Sequence, residues 1–240
     1  MMLIYKTYFI RIKELLTYSF IEILFISLLL MIFIPSSLKS QQEGSNPVIE
    51  EINDSLIRLN KIVINKNNKS ISFPAKINMS KGLIEVVLCK TQGKTHESLL
   101  TTQISQIELQ TALLLLGFNP INKIPGDENT ETNNPDSVLV FIEWKEGKNT
   151  NTERVEKFIR NKITGFEMKP NTWLFRGLLL QENANLNNDE ISMIVTYFDP
   201  HAIIELNSPD KNDDRLFYVN ENYCLPVETE VEVIIKEFDK

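Results

Sequence analysis

From about Leu59 onward, apolar residues recur at every second position in short bursts, with Asn, Asp, Gly or Pro between them. A strand sends successive side chains to opposite faces, so this period selects half-buried β-structure. Leu59–Ile64, Ser70–Met79, Gly82–Lys90, Thr95–Thr102, Ser137–Lys145, Trp173–Leu180, Glu190–Phe198, Leu216–Asn220 and Glu230–Phe238 all read as strands. Asn65–Lys69 and Glu146-Gly147 read as turns. Thr152–Asn161 reads as a short helix or as a strand and then a turn, and Pro200–Leu206 fits no single element.

One stretch breaks the two-residue period. Ser105-Gln106-Ile107-Glu108 is a capping box, in which a hydroxyl and a carboxylate satisfy the first N–H groups of a helix reciprocally. The helix runs to Leu116, and Gly117 is a good left-handed stop. Because Leu113–Leu116 is apolar all round, this helix is expected to pack beneath other elements. The expected fold class is α+β: mainly antiparallel β-sheet with one well-capped helix at about 105–116, after an N-terminal hydrophobic segment. Residues 41–58 read as a polar linker with a short helical stretch at Pro47–Arg58, and Asn119–Asp136, with three prolines, as a long surface loop.

The first forty residues differ from the rest. Lys6, Arg11 and Lys13 precede the apolar block Ile23–Ile34, which Pro35 ends before Ser36, Ser37 and Ser40. Basic, apolar and small residues in that order form a secretory signal pattern. A block of twelve suits a signal better than a spanning helix of about 20 residues. Extending it back to Leu15 takes in Glu22, which is costly inside a bilayer. Residues 1–40 are thus a cleaved signal or an uncleaved anchor over about 15–34. Either reading exports the remainder to a periplasmic or extracellular space.

Removing residues 1–40 takes away four basic and two acidic residues from a chain of 240. It leaves 21 Lys plus Arg against 30 Asp plus Glu, a formal charge of −9. An acidic domain without a basic cluster is unsuited to nucleic acid. Membrane contact is expected only through the N-terminal segment, and the partner classes left are a small molecule or a protein. Cys89 and Cys224 are the only cysteines. Export would permit a disulfide between them, but two cysteines do not make a framework.

The scarce reactive side chains gather in Cys89-Lys90-Thr91-Gln92-Gly93-Lys94-Thr95-His96-Glu97-Ser98, one of two cysteines beside one of two histidines. If Gln92-Gly93 were a two-residue hairpin loop, Cys89 would face His96 across the strands and Glu97 would point away. An odd loop would bring Glu97 to Cys89 instead. Four readings follow: a thiolate–imidazole nucleophile, a metal site of Cys89, His96 and Glu97, a ligand site formed by Cys89, Gly93, Lys94, His96, Glu97 and Ser98, or a hairpin with no ligand. No paired metal-ligand set is visible, so no metal or cofactor is expected. Gly-Lys-Thr is not a phosphate loop, because Leu88 stands where that loop needs its first glycine.

Elsewhere, His201 after Asp199-Pro200 reads as a turn residue. Trp144 and Trp173 read as core, Glu143 as an outward strand residue, and Arg176 as exposed at a strand edge. The favoured function is binding or interaction. The alternative is a metal-dependent or thiol-based enzyme using Cys89, His96 and Glu97, with His201 or Glu143.

Gly82–Cys89, Gly93–Leu100 and Ala112–Gly117 resemble the hallmark run of the YdjY domain. Val140–Trp144, Trp173–Gly177 and Pro226–Ile235 resemble its later blocks in the same order. The similarity spans residues 59–238. It implies an exported or membrane-associated bacterial domain of uncharacterised function, whose relatives are in part described as iron–sulfur ferredoxin-like. A cysteine-ligated cluster takes about four thiolates, and two are present. The family's usual glycine before the closing strand is replaced here by Val227-Glu228-Thr229.

Overall fold

Pleated alternation sets the core of the chain. A computed structural model describes residues 48–121, 135–178 and 192–238. The expected signal or anchor and the polar run Gly126–Asn134 lie outside those residues. In β4 (Ser70–Ile77), Ile71, Phe73, Ala75 and Ile77 are buried while Pro74 and Lys76 are exposed. β7 (Ser137–Glu146) buries Val138, Val140 and Ile142, and β14 (Glu230–Glu237) buries Val231, Val233 and Ile235. β14 lies between the other two and pairs antiparallel with both. These three long strands turn one apolar face to a common core with Trp173, Phe175 and Phe158.

The remaining strands are short: β1 (Ile49–Asn53), β2 (Leu56–Leu59), β3 (Ile62–Asn65), β5 (Val86–Lys90), β6 (Ser98–Thr102), β8 (Asn149–Arg154), β9 (Ile159–Asn161), β10 (Trp173–Phe175), β11 (Ile194–Val195), β12 (Ile204–Leu206) and β13 (Phe217–Val219). Their pairing runs β4-β14-β7-β10-β12-β11-β5-β6 and returns to β4, closing an eight-stranded barrel. β1, β2 and β3 extend from β4 as a meander, β8 hangs on β7, and β9 pairs with β13 in a separate two-stranded sheet. Two long strands each divide one edge. β4 gives residues 70–72 to β3 and 75–77 to β6, whereas β7 gives 137–138 to β10 and 141–146 to β8.

This corrects the expected α+β class. The domain is mostly β, its sheet is closed, and one α-helix stands among the described residues. Periodicity reports which face of a strand is buried, but closure depends on which strands become neighbours. The β4–β6 pairing, from Ala75↔Thr102 to Ile77↔Leu100, seals the ring. Strands also begin earlier than expected, since the β1–β2 hairpin occupies residues assigned to a linker. All five residues of β1 are exposed, and a register shift interrupts it between Glu51 and Asn53. Thr152–Asn161 resolves into the end of β8, a 3-10 turn over Val155–Phe158, and β9.

The hairpin expected at Gln92-Gly93 is also corrected. β5 and β6 are parallel neighbours, with Val86 beside Ser98 and Cys89 beside Thr101. Parallel neighbours usually need a crossover of a dozen or more residues; here residues 91–97 suffice. The return distance is about 13 Å at roughly 3.3 Å per residue, within the ~23 Å that seven extended residues can span. The slack is taken up by a turn at Gly93, whose N–H donates to the Lys90 carbonyl at 2.8 Å, and a 3-10 turn over Thr95–Glu97. Asn78, just past β4, fastens the crossover: its Nδ2 donates to the Thr95 carbonyl at 2.6 Å and the Ser98 carbonyl at 2.7 Å.

Helix α1 (Gln106–Leu115) has the expected capping box, with the Glu108 backbone N–H donating to Ser105 Oγ and the Ser105 N–H to Glu108 Oε2. Gly117 takes φ +85°, and bonds from Gly117 N to Leu114 O and Phe118 N to Leu113 O complete the stop. Leu109, Ala112 and Leu113 are buried, but Ile107, Leu114 and Leu115 are about half exposed at 57%, 46% and 45%. The helix therefore covers the sheet with one face rather than lying beneath it. No helix among the described residues is long and apolar enough to cross a membrane.

Two outcomes test this account. Asn78→Ala leaves two crossover carbonyls without their donor, and urea unfolding should show a loss of about 1–3 kcal/mol; a loss below ~0.5 kcal/mol would remove the fastening role. Glu108 is the pH-sensitive point. Burial raises its pKa, but bonds from Asn60 and Ser105 together with Lys61 outweigh that and hold it below the ordinary range. A carboxylate with a lowered folded pKa contributes stability above its unfolded value and loses it as pH falls through the folded one. The stability gap between wild type and Glu108→Gln should thus be full at pH 7 and shrink on acidification below about pH 4. A gap unchanged at pH 3 would contradict it.

Candidate functional site

The crossover borders a cleft of about 150 Å³ lined by Glu85, Val86, Lys94, Glu97, Ser192, Val195, Tyr197, Phe198, Asp199 and Pro200. Its floor is apolar because β5 is buried on both faces. Val86 and Val195 form a small cluster with Cys89 and Ala202, separate from the main core. Its polar wall is contributed by the crossover, which brings Lys94 and Glu97 round to face Glu85 and the segment following β11.

Four charges meet there. Lys94 Nζ lies 3.4 Å from Asp199 Oδ2. Glu85 and Glu97 are coupled through the backbone, the Glu85 N–H donating to the Glu97 carbonyl at 3.2 Å. Burial pushes the Glu85 carboxyl up, the carboxylates of Glu97 and Asp214 add to the rise, and Lys94 and His96 oppose it. Asp199 also accepts from the His201 backbone N–H at 2.9 Å, in the turn expected for Asp199-Pro200-His201. The His201 ring lies 3.8 Å from the same carboxylate. Ser192 is fully buried, lines the cleft, and has an Oγ with no hydrogen-bond partner among the described residues.

Of the six residues singled out from sequence, Lys94 and Glu97 line the cleft. Cys89 is fully buried beneath its floor. Ser98 is buried too, its hydroxyl donating to the Leu100 carbonyl at 2.8 Å. Gly93 makes the crossover turn. His96 is 79% exposed on the outside, 3.7 Å from Glu97. Thiol and imidazole thus lie in opposite environments, one sealed and one in water. Glu143 is on β7, across the barrel, where it accepts from Thr152 Oγ1 at 2.9 Å. Among the described residues no group of three or more His, Cys, Asp or Glu is placed to hold a metal ion.

Sequence reasoning passed over Glu85, Asp199, Ser192 and the aromatic wall of Tyr197 and Phe198. Glu85 left one signal: it is the lone carboxylate inside the apolar run Leu83–Leu88. Arg176 is corrected from edge exposure. It is mostly buried and holds Glu205 at 3.1 Å, while Lys211 reaches the other oxygen of Glu205 at 2.6 Å. Both cations also lie over the Phe198 ring, at 5.3 and 5.8 Å from its centroid. Glu205 is thereby satisfied in the barrel wall, and its two cations are committed before any ligand arrives. A second buried carboxylate, Glu156, is held by Arg154 at 2.6 Å and by Trp173 Nε1 at 3.1 Å, which fixes the largest core side chain.

Both cysteines are free thiols. Burial raises Cys89; a hydrogen bond with Ser98 opposes this, and the Glu97 carboxylate adds to it. Burial pushes Cys224 up to about 11 against a weaker bond from Leu225. Neither holds a thiolate near neutral pH, which is what nucleophilic chemistry would need. Ellman titration of the native protein at pH 8 should therefore show both thiols reacting slowly, with both becoming fast in 6 M guanidinium. Rapid native reaction at Cys89 would revive a thiol mechanism.

No curated protein and no solved structure matches the chain. The family model of the YdjY domain matches residues 62–236, a span that runs from β3 through β14 and takes in the barrel, the crossover and the whole cleft. The chain belongs to the YdjY domain family.

Proposed function

We propose that this chain is an exported binding module, and that its ligand-facing surface is the cleft beside the crossover. Export rests on the basic, apolar and small residues of the first forty positions. It would place the domain in a periplasmic or extracellular space, released or tethered by residues 15–34. One observation carries the binding reading: the crossover brings Lys94 and Glu97 to a concave site with an apolar floor, where Glu85, Asp199 and a Ser192 hydroxyl that has no partner among the described residues converge. A few convergent polar groups over an apolar floor is the usual composition of a small-molecule site. A partner presenting one side chain to the cleft would use the same groups. Catalysis is not favoured, since the buried thiol and the exposed imidazole are apart and no metal-binding set stands with them among the described residues.

Thermal unfolding of the full chain against a panel of small organic ions tests this. A true ligand at about 100-fold its Kd should raise the transition by roughly 5–10 °C. Glu97→Gln and Lys94→Met should each change that shift, while the distant Glu143→Gln should not. A ligand whose shift ignores every cleft substitution would move the functional surface elsewhere.

A further inference from the structure

Resting on the cleft reading above, we infer that the occupant is a small organic cation: an ammonium group held by Glu85 and Glu97, hydrogen-bonded to Ser192, with its alkyl part on Val86 and Val195.

Charge within the cleft is the first argument. Three carboxylates, Glu85, Glu97 and Asp199, line it against one ammonium, Lys94, which is already paired with Asp199 at 3.4 Å. Glu85 and Glu97 therefore have no ion-pair partner inside the cleft, where Lys94 acts on Glu85 only as a nearby charge. Outside it, His96 approaches Glu97 at 3.7 Å but is 79% exposed, and Asp214 adds a further negative charge near Glu85. The neighbouring cations offer no relief, because Arg176 and Lys211 are both bonded to Glu205. An anion entering here would meet repulsion from three sides. A cation would meet carboxylate charge that the single ammonium of Lys94 does not balance.

Ser192 supplies the second, independent argument. A buried hydroxyl without a partner costs free energy; Ser192 has none among the described residues, and it lines the cleft rather than lying deep in the barrel. It can accept a hydrogen bond from an N–H donor, which an ammonium provides in three directions. Tyr197 adds an aromatic ring to the lining, a group that favours cations over anions, whereas the Phe198 ring already carries Arg176 and Lys211. A metal ion is the weaker reading of the same charge, since no three-ligand group is in place among the described residues. Ammonium ligands come from two sources, a free alkylamine or the lysine side chain of a peptide, and both carry the chemistry read here.

Isothermal titration of the full chain with four probes decides the matter: putrescine for a free amine, Nα-acetyl-lysine methylamide for a protein side chain, succinate as an anion of matched length, and calcium alone. Binding of putrescine, of the lysine derivative or of both is expected, and which of them binds identifies the source. Glu85→Gln and Glu97→Gln should each weaken it about tenfold or more. Lys94→Met should tighten it by freeing Asp199, a gain that a merely structural lysine would not give. Circular dichroism of each variant separates lost binding from lost folding, and a misfolded carboxylate variant leaves the sign of the Lys94→Met effect to decide. Succinate binding abolished by Lys94→Met would overturn the cation assignment while keeping the cleft as a binding site, and preferential binding of calcium would do the same. Silence from all four probes, with no binding change in any variant, would overturn both.

Discussion

Two parallel strands, neighbours in the sheet and separated by only seven residues, impose the central constraint on this domain. The chain must leave the end of β5, return along its length and start β6 beside the beginning of β5. A helix would fill such a return in most proteins. Here there is no room for one, so the backbone polar groups of the crossover must be satisfied within a few residues. Gly93 makes the first turn, a 3-10 turn makes the second, and the Asn78 side chain donates to the Thr95 carbonyl and to that of Ser98 at the start of β6. The polarity of Gln92–Ser98 follows from that geometry, and so does the placement of Lys94 and Glu97 against the outer face of β5. Fold and candidate site rest on the same short piece of chain.

Around that piece the barrel is unequal. Three long strands, β4, β14 and β7, carry regular alternation and most of the ladder, while the opposite wall consists of strands of two to five residues. Short strands leave more backbone for loops, and the cleft lies on this side. The buried carboxylates belong to the same logic. Glu205 is tolerated within the short β12 because Arg176 and Lys211 flank it, and Glu156 because it orients Arg154 and Trp173. Removing one partner of such a buried pair costs far more than the pair contributes beyond an apolar equivalent. These ion pairs therefore fix geometry more than they add stability.

Much of this was legible in the residues. The alternation located most strands, and Ser105–Glu108 with Gly117 defined the helix at both ends. The run around Gly93 was marked as unusual by its scarce side chains. What could not be read was adjacency. A two-residue period is the same for a strand with a parallel or an antiparallel neighbour, so the residues alone admit a hairpin at Gln92-Gly93. The aromatic and carboxylate walls of the cleft come from Tyr197–Asp199, about a hundred positions from Lys94, and no local pattern links them. Glu228 shows the opposite case. Its place in Val227-Glu228-Thr229, where the family carries glycine, put the turn in question, yet the turn forms with Glu228 at φ +68° and its N–H on the Ile77 carbonyl. A left-handed conformation costs a non-glycine residue about 1–2 kcal/mol, which a cooperative β4–β14 ladder of seven residue pairs can absorb.

Closure of the ring has a consequence at its outer margins. In the large sheet, among the described residues, β1 and β8 are the strands paired on one side only. β1 is exposed along its length, broken by its register shift, and carries Glu50 and Glu51 in ion pairs with Arg58 and Lys66. β8 presents Asn149, Thr150, Asn151 and Thr152, with nothing apolar to offer an incoming strand. Charged, interrupted or wholly polar margins discourage addition of a foreign strand. Two copies of this chain thus have little means of merging their sheets end to end, and backbone templating is a poor route for any partner to take. Recognition is left to side chains, and that makes the chemistry of a few groups, rather than the extent of the sheet, the determinant of what this domain can hold.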